Sequence, residues 1–353
     1  MVRTLPILLC GLSLSGGPLG CTSVQPGARI AVSQPTPAPP ARVAAQPSAF
    51  ASGGSASNAA RPHASTDVAA GKLVLSIPVS VDTRRSGEVR VVYRDAAKEA
   101  EGVRGFVVLS DERIVILDGE NERLLVFQHG VQQLELALDN STYEEPVFLS
   151  EDRIALLDRV HTKGIAVWNL SGKLERRSAL DSAVDWSSVR QLTPRPDGIW
   201  AEYTGGKMLR LLRADGSVDT EHTQLQGFLT GDGNRLVTWA NPRPSKELKF
   251  SSTPRAGGAA TFEHRFAAAQ RENAGEWASD ASGKLYLVIY TQAAGKAVQL
   301  LRVYSARLEL QRELVLEAGD GEQTPPTRRL FVTADGRAYW ASFAGQQLRI
   351  LRY

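Results

Sequence analysis

Residues 109–118 read L-S-D-E-R-I-V-I-L-D, and residues 149–158 repeat this stretch forty positions later as L-S-E-D-R-I-A-L-L-D. A second echo follows each copy, because V-F at 126–127 comes after the first and V-W at 167–168 after the second. Each copy contains a short apolar run, an acidic corner, an apolar strand and a further strand ending in an aromatic residue. Repetition at about this period is typical of solenoids and propellers.

The same pattern continues along the chain as five units of four strands and a shorter sixth unit. Ordered from innermost to outermost, the predicted strands are 105–110, 113–118, 123–128 and 131–138; 146–150, 153–158, 163–169 and 173–180; 189–194, 198–203, 207–213 and 217–224; 225–230, 234–239, 246–252 and 259–266; and 274–279, 283–290, 297–305 and 307–316. Every first-to-second-strand corner is a turn sequence: S-D-E-R, S-E-D-R, R-P-D-G, G-D-G-N, D-A-S-G and A-D-G-R.

The sixth unit has only three strands, at 328–333, 337–343 and 347–353. Residues 88–93 (E-V-R-V-V-Y) are predicted to supply its missing outer strand, and residues 73–81 form a further strand without an assigned place. Strand exchange between the two ends of the chain would remove the exposed edges of an open array. The predicted fold class is therefore all-β, a six-bladed β-propeller of four-stranded antiparallel blades.

Residues 116–127 (I-L-D-G-E-N-E-R-L-L-V-F) resemble the NHL repeat, whose core is an apolar pair, Asp, a turn with Asn, then Arg, an aliphatic residue and Val-Phe. The motif positions are held by Asp118, Asn121, Arg123, Val126 and Phe127. The resemblance covers this unit well and the second unit loosely. It implies a propeller of a family that consists mostly of binding scaffolds, with a minority of metal-dependent enzymes such as amidating lyases.

The first twenty residues have the three regions of a secretory signal peptide: Arg3, an apolar run at 5–14, and small residues before Gly20-Cys21. The end resembles a bacterial lipobox, in which Cys21 would carry the lipid. With Thr22 after the cysteine, the resemblance implies an outer-membrane lipoprotein that faces the periplasm or the cell surface. The alternative is an ordinary signal peptide, which would leave Cys21 as a free thiol.

Residues 21–71 have the composition of a disordered linker, with P-T-P-A-P-P-A at 35–41 and A-S-G-G-S-A-S at 51–57. Such a segment buries too little apolar surface to offset its conformational entropy. The expected domains are a signal peptide at 1–20, a lipid-anchored linker at 21–71 and the propeller at 72–353.

Composition excludes several kinds of function. The net charge of +3 with 22% charged residues lacks the clustered basic surface that nucleic acid requires. The only cysteines, Cys10 and Cys21, precede the propeller, so its fold has no disulfide, catalytic thiolate or cysteine-based metal site. No G-x-S-x-G motif occurs, and we predict no cofactor.

Two sets of charged residues allow alternative interpretations. Asp118 and Arg123 either form a ligand-facing pair or hold a tight loop between two strands. The four histidines of the repeats fall in different units without a nearby companion, which favours exposed side chains over a metal site. Among them, only His161 is expected on the ligand-bearing rim.

The inter-blade loops, at 139–145, 181–187, 270–277 and 319–328, combine aromatic residues with acids and amides, as recognition surfaces do. The predicted ligand-binding residues are Tyr143, Glu144, Glu145, His161, Asp185, Trp186, Glu272, Glu276 and Trp277. Alternatively, the two tryptophans pack between blades. These residues predict a non-catalytic propeller that binds a protein or polysaccharide of the cell envelope, whereas the enzyme alternative is an exported metal-dependent hydrolase or lyase with its site at the channel mouth.

Overall fold

The computed structural model describes residues 71–81, 87–94, 99–179, 184–204, 206–240, 247–257, 261–267, 273–293, 296–319 and 328–353. The predicted signal peptide, Cys21, the linker up to residue 70 and Glu272 lie outside these residues. In the described part of the chain, no helix has the length and apolar character needed to cross a membrane.

Six antiparallel sheets, here called blades one to six, follow one another along the chain. Blade one contains β4 (Val103–Val108), β5 (Ile114–Asp118), β6 (Arg123–Gln128) and β7 (Val131–Ala137). Blade two contains β8 (Tyr143–Ser150), β9 (Arg153–Asp158), β10 (Gly164–Asn169) and β11 (Leu174–Ala179). Blade three contains β12 (Val189–Arg195), β13 (Gly198–Tyr203), β14 (Lys207–Arg213) and β15 (Gln224–Gln226).

The remaining blades repeat this order. Blade four contains β16 (Phe228–Leu229), β17 (Arg235–Ala240), β18 (Glu247–Pro254) and β19 (Phe262–Ala267). Blade five contains β20 (Asn273–Ser279), β21 (Leu285–Ala293), β22 (Lys296–Tyr304) and β23 (Leu310–Val315). Blade six contains β24 (Leu330–Val332), β25 (Ala338–Ala344) and β26 (Gln347–Arg352), and two short 3-10 helices lie at Gly119–Asn121 and Trp186–Ser188.

The first strands of the blades line the centre of a ring. Contacts join β4 to β8, β8 to β12, β20 to β24, and β24 back to β4. The predicted fold class, a six-bladed β-propeller, is therefore confirmed.

The strand that closes blade six differs from the prediction. The fourth strand is β1 (Lys72–Val81), which pairs antiparallel with β26 in a register that places Ile77 opposite Leu348. Residues 88–93 do not close the blade, because β2 (Val89–Arg94) pairs parallel with only the last residues of β1 and then with β3 (Glu99–Glu101). The physical reason is that every second residue in the middle of β1 is apolar, so one face of the strand buries Leu75, Ile77 and Val79 against blade one.

The core consists of apolar layers between adjacent blades. Successive residues of β5 point to opposite faces, so Ile114 and Ile116 pack towards blade six while Val115 and Leu117 pack towards blade two. Both faces of the central strands are covered, which explains why their sequences are continuously apolar. Outermost strands such as β7 and β11 are largely exposed.

Candidate functional site

Four innermost strands begin with a bulge that displaces a charged residue from the ladder. The pairing register shifts between Val103 and Gly105, between Glu144 and Val147, between Val189 and Gln191, and between Ala274 and Trp277. A bulge turns a side chain away from the direction that regular pairing would give it. The charged residues at these shifts are Arg104, Glu145, Arg190 and Glu276.

Two cavities occupy the channel between the innermost strands. The smaller, of about 200 Å³, lies at the inter-blade end and is lined by Glu145, Arg190, Gln191, Glu202, Glu276, Trp277 and Arg328. The larger, of about 470 Å³, extends towards the first-to-second-strand corners, which contribute Ser110, Glu151, Arg195 and Asp335 to its lining. The two cavities share the wall residues Gln191, Glu202, Trp277 and Arg328.

Glu145 is the most unusual residue of the smaller cavity. Its side chain is buried, with 1% of the residue exposed, and its backbone φ of 49° lies in the left-handed region. Pro146 follows at the bulge, where its missing N–H interrupts no ladder bond, and packs against Gly105 of blade one. Oε2 of Glu145 is buried and has no hydrogen-bond partner among the described residues. Burial raises the pKa of Glu145 to about 7, despite the nearby guanidinium groups of Arg328 and Arg159.

The other two acids of this cavity have hydrogen bonds from the protein. Glu202 accepts from Nε2 of Gln191 at 2.7 Å and from the hydroxyl of Thr193, and burial raises its pKa. Glu276 accepts from the backbone N–H groups of Arg329 at 2.6 Å and Leu330 at 2.7 Å, which ties blade five to blade six. Glu145 therefore differs from both of these acids, because it lacks a protein donor for one buried oxygen.

Arg328 extends across the channel from blade six to blade three. It is 7% exposed, and it donates from Nη1 to the carbonyl of Leu192 at 3.2 Å and from Nε to the carbonyl of Leu330 at 3.3 Å. No carboxylate of the described residues lies within ion-pair distance of Arg328. Arg328 thus lines both cavities and offers a positive charge to each.

The three aromatic residues predicted for the rim are buried. Tyr143 is 0% exposed and donates its hydroxyl to Asp139 at 2.9 Å. Trp186 packs between blades two and three, and Trp277 packs against Phe228 with ring centroids 5.0 Å apart. The physical reason is that the wedge-shaped spaces between blades take large apolar rings, as the packing alternative had proposed. Trp277 still borders both cavities, whereas Tyr143 and Trp186 border neither.

The remaining predicted site residues occupy several places. Asp185 is exposed and caps the 3-10 helix Trp186–Ser188 by accepting from the backbone N–H of Ser187. Glu144 pairs with Arg159, with 2.5 Å between Oε2 and Nε. His161 is exposed, and its backbone N–H donates to Asp158. Of the predicted residues that the structure describes, only Glu145, Glu276 and Trp277 come together in one cavity.

Asp118 and Arg123 form a buried structural network, which supports the loop-holding interpretation. Oδ2 of Asp118 accepts from Nδ2 of Asn121 at 2.7 Å and from Nε of Arg123 at 2.9 Å. Oδ1 accepts from the backbone N–H of Arg90 at 3.3 Å, and Arg123 also donates to the backbone carbonyl of Glu88. The network therefore fastens the segment after the closing strand to blade one.

Several lining residues were absent from the sequence prediction, namely Arg190, Gln191, Arg195, Glu202 and Arg328. The sequence does hold one signal for the site, since Pro146 within an otherwise apolar strand indicates a bulge. A second signal is the acid inside the apolar run W-A-E-Y at 200–203. Within the described ranges, no group of three or more His, Cys, Asp or Glu side chains is arranged to hold a metal ion.

Neither a protein-family model nor a curated protein sequence matches this chain. Solved structures with similar folds include virginiamycin B lyase from Staphylococcus aureus, which is 11% identical, with 71% of this chain and 95% of that chain covered and a TM-score of 0.42. A gluconolactonase from Xanthomonas campestris is 13% identical over 82% of this chain and 98% of its own, with a TM-score of 0.44. The calcium-binding regucalcin from Agrobacterium tumefaciens is 12% identical over 70% and 89%, with a TM-score of 0.43.

Proposed function

We propose that this protein is a lipid-anchored, non-catalytic propeller of the cell envelope that binds a protein or polysaccharide partner and takes one group of that partner into its channel. The supporting observation is the cavity of about 470 Å³, whose accessible surface is mostly apolar although about half of its lining residues are polar or charged. Cavities of this size and composition commonly bind ligands. The apolar part of the cavity wall is formed by residues such as Val108, Phe148, Pro194, Trp277 and Phe331.

The polar groups of this cavity would orient the ligand. Arg195 donates its Nε to the carbonyl of Leu229 at 2.9 Å, and burial lowers its pKa to about 10. Arg195 and Arg328 both line the cavity without a carboxylate within ion-pair distance among the residues that the structure describes. The half-buried Glu144 and the exposed Asp185 and His161 remain candidates for additional contacts with a large partner.

A blocking experiment tests the use of the channel. Ser110 is exposed at a corner and lines the larger cavity, so Ser110→Trp should obstruct the mouth without altering the core. Purified propeller would be tested against envelope polysaccharide and against envelope membrane proteins in separate binding assays. We expect Ser110→Trp to weaken binding at least tenfold, because a filled cavity excludes the ligand group.

The matched control is Ser171→Trp, which places the same side chain at an exposed turn of blade two away from both cavities. Equal binding by the two variants would contradict the channel as the binding site. Failure of the wild type to bind either class of partner would contradict the proposed function itself.

The proposed anchor rests on Gly20-Cys21 after the short apolar run. Cells grown with a fatty-acid analogue should label the wild-type protein, whereas Cys21→Ser should carry no label and should leave the membrane fraction. Equal labelling of the two proteins would exclude the anchor at this position.

The alternative proposal, an exported metal-dependent hydrolase or lyase, takes its support from the buried Glu145, because a carboxyl group that titrates near neutrality suits acid–base chemistry. Metal analysis of the purified protein discriminates the two proposals. Stoichiometric metal that is lost in Glu145→Gln would favour the enzyme. A protein that binds its partner at full affinity after treatment with chelator would favour the binding scaffold.

A further inference from the structure

The buried Oε2 of Glu145 lacks a hydrogen-bond donor among the described residues. Buried polar atoms in native proteins nearly always have hydrogen-bond partners, and each exception requires an explanation. Oε2 of Glu145 has none in the described part of the chain, although the acid is held in a left-handed backbone conformation that few residues other than glycine adopt. The bulge and this backbone conformation keep the carboxyl group at the cavity wall at a cost in stability.

The charges around the cavity decide which kind of donor fits. Arg190 and Arg328 also line it, and the described residues provide neither of them with a carboxylate partner within ion-pair distance. Nη2 of Arg328 makes no hydrogen bond within the described residues, although Nε and Nη1 do. The cavity thus presents one acceptor without a donor, on Glu145, and guanidinium donors without acceptors.

Neither a simple cation nor a simple anion suits this arrangement. A cation would gain from Glu145 but would lie beside two guanidinium groups, and an anion would meet Glu145, Glu202 and Glu276. A hydroxyl group avoids both penalties, since it can donate to the carboxylate and accept from a guanidinium at the same time. Several neighbouring hydroxyl groups would satisfy the donors and the acceptor together.

We propose that the 200 Å³ cavity at the inter-blade end of the channel binds one sugar ring, whose hydroxyl groups donate to Glu145 and accept from Arg328 and Arg190. This inference rests on the proposed function, because it selects polysaccharide from the two partner classes given there. The volume equals that of roughly six or seven water molecules, which admits a single ring and excludes a folded protein segment. The Trp277 side chain, also in the lining, adds an apolar wall.

Calorimetric titration with neutral monosaccharides tests the site. Glucose, galactose and N-acetylglucosamine serve as probes, with ethanolamine as a cationic probe and acetate as an anionic one. We expect at least one neutral sugar to bind more tightly than either charged probe. At pH 8, above the pKa of Glu145, Glu145→Gln should weaken sugar binding about tenfold, because a hydrogen bond to a charged acceptor is stronger than one to a neutral acceptor by about that factor.

Glu175→Gln is the matched control, because Glu175 lies in the outermost strand of the same blade and pairs with Arg153 outside the cavity. It should bind the sugar as the wild type does. Circular dichroism would verify the fold of both variants, and Glu145→Ala provides a second substitution at the site. Equal sugar affinity of the wild type, Glu145→Gln and Glu145→Ala would overturn the proposal.

Other outcomes separate this inference from the proposed function. Tighter binding of ethanolamine or acetate than of every sugar would overturn the sugar site. Absence of sugar binding by a wild type that still captures an envelope protein would also overturn it, while leaving the proposed function intact. A sugar that binds through Glu145 in a protein without any envelope partner would support the site and contradict the function.

Discussion

Asp118 and Glu145 are both buried acids on neighbouring blades, yet their surroundings differ. Asp118 accepts hydrogen bonds from Asn121, Arg123 and the backbone of Arg90. Glu145 has a buried oxygen without a partner in the described residues, and it faces a cavity. A buried acid that accepts hydrogen bonds from several parts of the protein holds those parts together. A buried acid with one oxygen left without a donor is instead a candidate for ligand binding.

The largest effect is expected from removing the closing strand β1 together with the segment that the Asp118 network holds. Deleting residues 1–91 eliminates β1 and the segment that Asp118 and Arg123 hold, so blade six gains an open edge and blade one loses its partner. We expect this variant to be unfolded or aggregated in thermal denaturation and size-exclusion experiments. Deleting only residues 1–70 should give a folded protein, and equal behaviour of both variants would contradict the closure by β1.

Asp118→Ala should cost about 1–3 kcal/mol of unfolding free energy, the usual effect of leaving buried hydrogen-bond donors without their acceptor. The guanidinium of Arg123, 1% exposed, would keep Glu135 as its remaining carboxylate partner at 2.9 Å. Chemical denaturation measures the loss. A change below about 1 kcal/mol, the range of an exposed pair, would show that the network is not structural.

Glu145→Gln should stabilise the fold at pH 8 by up to about 3 kcal/mol, the free energy that corresponds to raising a carboxyl pKa from 4.5 to about 7. Between pH 4.5 and about pH 7 the carboxyl group of Glu145 retains a proton in the folded wild type that it has lost in the unfolded chain. The free energy of unfolding of the wild type therefore falls as the pH rises from 4.5 to 7, and the variant should lack this fall. The charged groups that act on Glu145 are Glu144, Arg159, Glu276 and Arg328.

Denaturant titrations of both proteins from pH 4 to pH 8 measure this difference. Parallel profiles for the wild type and Glu145→Gln would mean that Glu145 has a partner in solution. In that case the contrast with Asp118 would disappear.

The smallest effect concerns the backbone of Glu145. With φ at 49°, Glu145→Gly should be about 1 kcal/mol more stable than Glu145→Ala, because only glycine adopts this conformation without strain. At Glu175, an exposed residue of β11, the order should reverse, since glycine weakens an extended strand. Thermal melts of the Gly and Ala variants at both positions measure which of each pair is more stable. Equal stability of Glu145→Ala and Glu145→Gly would show that the backbone at position 145 is not strained.

The sequence predicted the blades well because their signals are local. Corners such as D-A-S-G at 280–283 and the apolar strands beside them lie within about ten residues of each other. The closing strand was misassigned because its pairing is remote, with Ser76 and Gln347 separated by 271 positions. The site was only partly predicted: Glu145 was included, whereas Arg190 and Glu202 were missed, because the bulge at Arg190 and the burial of Glu202 depend on how whole strands pair and pack. Burial of Trp186 and Trp277 depends on the wedge between blades, which local sequence does not specify.

Ring closure by β1 also sets an order of events during biosynthesis. The chain makes β1 (Lys72–Val81) before any blade exists, and its antiparallel partner β26 (Gln347–Arg352) is translated only after the strands of blades one to five. Throughout this interval the early strand has an apolar face without its partner, and a chain released before β26 would leave a ring that cannot close. Blade six therefore forms last, because it requires strands made before and after all the other blades.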